Sequence, residues 1–323
     1  MFTPYKISFL IVALAALLNA QSIPVETENL ARAVVFLYDR STTDAKVATG
    51  FLLGVPAANA PSQGATFGWA FLVTARHVVD PEWQGCLPEG QTNPTRIEMR
   101  LNTKNYKDAD PTGTEYVVVN LQQDGRPLWY HHDNDDIDVA VIPLTDYTIA
   151  PLADKHWFRI FDDDAGAISL SWFATPKVFN TASIGSSVVT AGLVPELSRA
   201  KRNYLTYRFG RISNIFPESI DVPCRLPLHF SHKDRIWAVA ANYAPGNSGS
   251  PVLLLPIDVI QGNGMVLGQT ELRGLIGLVS LGSPGTDFSG ITPVSYIFEV
   301  IQQIFKENKW PTDALPSYQY AQR

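Results

Sequence analysis

Short apolar, β-branched runs, each closed by a turn signal, recur along this chain and decide what it can become. Ala33–Tyr38, Ala48–Val55, Ala70–Thr74, Arg96–Leu101, Glu115–Leu121 and Asp138–Pro143 form a first set of six. Ala167–Phe173, Ser187–Leu193, Tyr204–Ile212, Trp237–Ala241, Pro251–Leu255 and Leu275–Leu281 form a second set of six. Clusters of Gly, Pro, Asn and Asp separate them, as at Asn59–Gly64, Asp108–Gly113 and Pro284–Gly290. Twelve strands in two sets fit a pair of barrels better than a single sandwich. The expected fold is all-β, with residues 28–150 as a first six-stranded antiparallel barrel and 165–308 as a second. Asp146–Asp164 is the expected connection.

A helical period governs one stretch. Tyr296–Asn308 puts Ile297, Ile301, Ile304 and Phe305 on one stripe, with Glu299, Gln302, Gln303 and Lys306 elsewhere. Pro293 and Ser295 mark its start and Pro311 lies past its end, so a C-terminal helix covering a barrel face is predicted. Residues 309–323 read as a polar, mobile tail.

The first 20 residues belong to targeting. Lys6 precedes Ile7–Leu18, a 12-residue run that is apolar except for Ser8, and Leu18-Asn19-Ala20 supplies a small residue at the cut. A run that short does not cross a hydrocarbon core, which needs about 20 residues. A signal peptide over 1–20, and a secreted or periplasmic chain with no membrane contact after its removal, are the expectation. The net charge of −6 offers no cationic surface for nucleic acid. Export permits a bridge between the only two cysteines, Cys86 and Cys224, though two unrelated, partly buried thiols are the better reading. His131-His132-Asp133 could suggest a metal, but adjacent strand residues face opposite ways, so a solvated loop is the better reading.

Three segments carry chemistry. In Val73-Thr74-Ala75-Arg76-His77-Val78-Val79-Asp80 a histidine stands just past an apolar strand, where imidazole serves as a general base near neutral pH. In Asp135-Asp136-Ile137-Asp138-Val139-Ala140-Val141-Ile142 a carboxylate opens a strongly apolar run, a costly place to bury one unless a partner uses it. Asp135 and Asp136 compete for that role; Asp138 is favoured because it abuts the run. In Pro245-Gly246-Asn247-Ser248-Gly249-Ser250-Pro251-Val252 glycines flank a serine on both sides, so that backbone amides can turn toward a developing oxyanion. Gly246 and Ser248 are the candidate donors.

Their order, His77, Asp138, Ser248, with spacings of 61 and 110 residues, resembles the trypsin-like serine peptidases of chymotrypsin fold. The compact exported bacterial-type members are the most similar. The family's Thr-Ala-x-His-Val-Val, Asp-x-Ala-Val and Gly-Asn-Ser-Gly-Ser-Pro segments match Thr74–Val79, Asp138–Val141 and Gly246–Pro251. Leu275–Gly282 looks like the strand that pairs with substrate backbone. The α/β-hydrolases, which run serine, acid, histidine, do not fit this order.

The resemblance implies a serine endopeptidase acting through an acyl-enzyme on protein or peptide substrates, with no metal or organic cofactor. It makes His77, Asp138 and Ser248 catalytic, and Asn242, Ser280, Leu281 and Gly282 substrate-binding. Trypsin has an acidic residue six positions before the nucleophile; Asn242 stands here, and Val279 stands where glutamyl endopeptidases place a His. Gly282 leaves the pocket mouth open, so uncharged, apolar side chains are expected there. Asn247 replaces the aspartate of the trypsin proenzyme switch, so no such switch is expected. Only 15 residues follow the helix, which leaves no room for an HtrA-type peptide-binding domain. The long intervals suggest insertions at Ala57–Thr66, Trp83–Thr95 and Pro217–Arg235. An inactive peptidase-fold module that binds a partner is the alternative.

Overall fold

The computed structural model describes residues 30–39, 46–56, 67–83, 92–102, 114–144, 167–194, 203–223, 231–255, 259–261, 264–266, 274–282 and 288–321. The expected signal peptide, the Asp146–Asp164 connection, the Ala57–Thr66 excursion, Cys86 and Cys224 lie outside them.

Six strands build the first sheet: β1 (Val34–Asp39), β2 (Lys46–Pro56), β3 (Phe67–Thr74), β4 (Arg96–Asn102), β5 (Thr114–Asn120) and β6 (Ala140–Pro143). Their order is β5-β4-β1-β2-β3-β6, all antiparallel, with a short strand Tyr130–His131 added beyond β6. The central strands β1, β2, β3 and β6 are buried on both faces along Val34–Leu37, Phe51–Val55, Phe71–Val73 and Ala140–Pro143, which is why those stretches read as apolar runs, whereas β4 and β5 carry Arg96, Glu98 and Glu115. Val35 and Leu37 of β1 join Leu52, Leu72, Met99 and Ile142 in a core within the first unit. Val34 and Phe36 join Phe51, Phe71 and Val73 in a second core shared with the C-terminal half.

The other half is a closed barrel of β7 (Ser187–Leu193), β8 (Leu205–Ile215), β9 (Trp237–Ala240), β10 (Pro251–Leu254), β11 (Gly274–Gly282) and β12 (Phe288–Pro293), ordered β7-β8-β9-β12-β11-β10. Closure is made by β10 on β7, with Thr190 opposite Val252. One member of this set differs from expectation. Ala167–Phe173 is not a barrel strand: Ile168–Ser169 pairs in parallel with Leu53 and Gly54 of β2, and a 3-10 turn follows. The Ser169 hydroxyl accepts from the Ser171 amide and ends the strand there. The sixth strand is β12, whose first half, Phe288 to Gly290, falls in the Pro284–Gly290 stretch expected to be a turn. Gly290 serves close packing instead. A Cβ there would lie 2.6 Å from Ile236 Cδ1.

The helix α1 (Arg76–Val79) is a single turn after β3, α2 (Pro176–Phe179) is a second, and α3 (Val294–Glu307) is the long C-terminal helix. The predicted stripe of α3, Ile297, Ile301, Ile304 and Phe305, is fully buried. It packs on β6, β11 and β12, so it touches both halves. Residues 309–321 are not a loose tail. Trp310 stacks near Trp69 and Phe305, Tyr318 meets Phe298, and the Tyr320 hydroxyl donates to the Ala174 carbonyl at 2.8 Å. The segment's three aromatic residues, not its polar ones, decide its position. Together the sheets and α3 make a chymotrypsin-like double-barrel architecture.

Candidate active site

His77 sits on α1, where the chain leaves β3. Its Nδ1 lies 2.7 Å from Asp138 Oδ2, and its backbone amide donates to Asp138 Oδ1 at 3.0 Å. Both carboxylate oxygens thus serve one residue, which fixes the imidazole's position and leaves Nε2 free to accept a proton. Asp138 is only 2% exposed and precedes β6 rather than opening it. Thr292 of β12 donates to the Asp138 carbonyl at 3.2 Å, a tie from the second barrel.

The competing aspartates have other partners. Asp135 binds Arg76 Nη1 at 3.0 Å, and the Asp136 carbonyl accepts from the Arg235 amide at 2.8 Å. Arg76 also reaches Asp80 at 3.1 Å and lies over the Trp83 ring.

Burial by itself would lower the His77 pKa. The charge and hydrogen bond of Asp138 outweigh it and hold the imidazole above its ordinary value of 6.5.

The Ser248 segment crosses from the second barrel to the first. Gly246 and Gly249 are left-handed, at φ 95° and 85°. A side chain at Gly249 would collide with the Thr49 carbonyl and the Thr74 hydroxyl. Thr49 donates its amide to the Ser248 carbonyl at 2.9 Å and its hydroxyl to the Gly246 carbonyl at 2.6 Å. Thr74 Oγ1 donates to the Thr49 carbonyl at 2.8 Å. Since Thr74 stands three residues before His77, these bonds bring the serine's loop to the sheet edge from which α1 departs.

Asn247, fully buried, completes the loop. Its Oδ1 accepts from the Ala244 amide at 3.0 Å and its Nδ2 donates to the Leu193 carbonyl at 2.9 Å. The Gly249 amide and the Val279 carbonyl, 2.7 Å apart, join the loop to β11.

The expected substrate-binding residues line the same region. Ser280, Leu281 and Gly282 end β11, and the buried Ser280 hydroxyl has no partner among the described residues. Gly282 runs beside Tyr243. A Cβ there would meet the Tyr243 carbonyl oxygen at 3.3 Å. The Asn242 carbonyl accepts from Arg208 Nη1 at 2.6 Å, while the buried Tyr243 hydroxyl bonds Thr190. Burial pushes the Tyr243 phenol up to about 12, against opposing pulls from Thr190 and Arg208.

Several participants were not singled out in the sequence. Thr49 was legible only as a polar residue inside an apolar strand, and Thr74 only as the first residue of the matched His segment, with no sign of its bond to Thr49. His232 and Asp234 fall in the expected Pro217–Arg235 insertion, which forms a hairpin of Ile220–Pro223 and Ser231–Asp234. That hairpin reaches the Asp138 segment: burial chiefly, then the Asp138 charge, raise Asp234 well above the usual carboxylate range. His132 is half-buried rather than fully solvated. It contacts Glu299 of α3 at 2.7 Å and meets Tyr296 edge-on.

The chain is similar to several solved protease structures. The MamO protease domain from Magnetospirillum magneticum has 14% identity, with 84% of this chain and 97% of that one covered, at a TM-score of 0.44. The HtrA-type protease AlgW, with a tripeptide, has 14% identity over 89% of this chain and 64% of its own, at 0.45. The active form of the Rv3671c protease from M. tuberculosis has 14% identity over 87% and 84%, at 0.43. No protein-family model and no curated protein matches the chain.

Proposed function

We propose that this protein is a secreted or periplasmic serine endopeptidase that hydrolyses peptide bonds through an acyl-enzyme. The observation that carries the reading is the double engagement of His77 by Asp138, at 2.7 Å on Nδ1 and 3.0 Å on the amide. Ser248 Oγ attacks the scissile carbonyl carbon while His77 Nε2 takes the hydroxyl proton. The tetrahedral oxyanion is held by the Gly246 and Ser248 amides. As the C–N bond breaks, His77 returns the proton to the leaving amine. Water, deprotonated by His77, then releases the acyl group and restores Ser248. Asp138 keeps the neutral imidazole in the tautomer that presents Nε2 as acceptor and stabilises the imidazolium. With Asn242 uncharged and its carbonyl occupied by Arg208, an uncharged side chain fits the substrate residue before the cleaved bond.

A fluorophosphonate probe tests the reading. The wild type is expected to label, and Ser248→Ala to lose labelling together with about a millionfold of its hydrolysis. A folded wild type that stays unlabelled would instead be a binding module, and labelling that persists in Ser248→Ala but not in Ser250→Ala would move the nucleophile.

A further inference from the structure

We infer that Thr49 is a positioning residue whose hydroxyl sets the direction of the oxyanion-binding amides; this rests on the peptidase reading above. Thr49 lies on β2 of the first sheet and is fully buried, so its hydroxyl must find a partner inside the protein. Each of its polar groups is in use. The hydroxyl donates to the Gly246 carbonyl at 2.6 Å, the amide donates to the Ser248 carbonyl at 2.9 Å, and the carbonyl accepts from Thr74 at 2.8 Å. One residue of one barrel therefore grips the other barrel's loop on both sides of Asn247.

The geometry says what the grip accomplishes. The Gly246 carbonyl belongs to the peptide plane after Gly246, and the Gly246 amide belongs to the plane before it. With the later plane anchored on Thr49, the φ of 95° at Gly246 fixes where the earlier amide points. Glycine resists little rotation on its own, so an external bond must hold it. The buried carbonyl has no water to turn to if the hydroxyl is removed, and the plane rotates to relieve it. The direction of the Gly246 amide then goes with it.

Thr49→Val keeps the shape and removes the donor, while Thr49→Ser keeps the donor and removes the methyl. The readouts are kcat and KM on a peptide amide, the rate of fluorophosphonate labelling, the affinity for a peptide boronic acid and the melting temperature. In Thr49→Val, kcat and boronate affinity are expected to fall about 10- to 100-fold, short of or equal to the loss of a whole oxyanion donor. KM should stay within about twofold, and Thr49→Ser should recover most of the loss. Should Thr49→Val show no cooperative melting, Thr49→Ala is measured in the same way and is expected to lose at least about tenfold in kcat. Unchanged kcat without the hydroxyl overturns the inference, as does a loss that Thr49→Ser does not repair. A wild type that neither labels nor cleaves brings down the peptidase reading first, and the role of Thr49 with it.

Discussion

At the scale of the residue, Asp138 holds His77 in both place and charge. The raised His77 pKa stabilises the protonated fold: that contribution is complete below about 6.5 and is lost as pH rises through the folded value. Catalysis runs the other way, because the base must be neutral. The acid limb of kcat/KM should therefore have its midpoint above 6.5. In Asp138→Asn the charge is gone and burial remains, so the midpoint should move down while the rate falls about ten-thousandfold. A pH–rate series on both proteins checks the two shifts together. Asn247 invites a second test. Its Nδ2 faces the Leu193 carbonyl, so Asn247→Asp turns a donor into a buried acceptor against an acceptor. Activity at pH 7 should fall at least about tenfold, read as labelling rate per folded molecule. A short N-terminal tag, by contrast, should leave it unchanged, since both ends of the Asn247 amide are already paired, with the Ala244 amide and the Leu193 carbonyl. The His and Asp segments were legible because each sets a polar residue at the edge of an apolar run, and the Ser segment because glycines flank the serine on both sides. Thr49 was not, since a threonine in a strand is ordinary and its partner lies 197 positions away.

At the scale of the element, the Ile220–Pro223 and Ser231–Asp234 hairpin shows where reading by pattern stopped. Its sequence announced only a long interval, and nothing local said that it would fold against the first barrel's Asp138 segment. The Arg235 amide and Asp136 carbonyl make that joint at 2.8 Å. Asp234, 2% exposed with Oδ1 unpartnered among the described residues, lies in the field of Asp138. Its pKa is raised, so the fold favours its protonated form. Stability falls as pH climbs from the unfolded carboxylate value through the higher folded one. Asp234→Asn removes that titration. Its melting temperature should exceed that of the wild type by at least about 2 °C at pH 7, with the gap closing toward pH 4. Calorimetry at the two pH values checks it. The strand β12 failed for a related reason, because Pro284 and Gly290 look like turn formers whichever neighbours they meet. Only the Ile236 side chain against Gly290 tells the difference.

At the scale of the whole molecule, the two halves share a core. Phe305 of α3, fully buried, lies between Trp69 and Phe71 of β3 and Trp310 of the final segment. Phe305→Ala should cost about 3–5 kcal/mol, measured by denaturant titration. A single transition is expected in that titration, since the apolar contacts of α3 belong to both barrels. The strand β1 adds a consequence about alignment. In an ordinary amphipathic strand, sliding by one residue turns the apolar side outward and is punished at once. Sliding β1 would only exchange Val34 and Phe36 with Val35 and Leu37, one greasy pair for another. Hydrophobicity alone therefore leaves its frame undecided. The frame is kept by features that do not slide, among them Arg100 lying over the rings of Phe36 and Tyr38 and Gly50, which admits Leu37 where a Cβ would press within 3.1 Å.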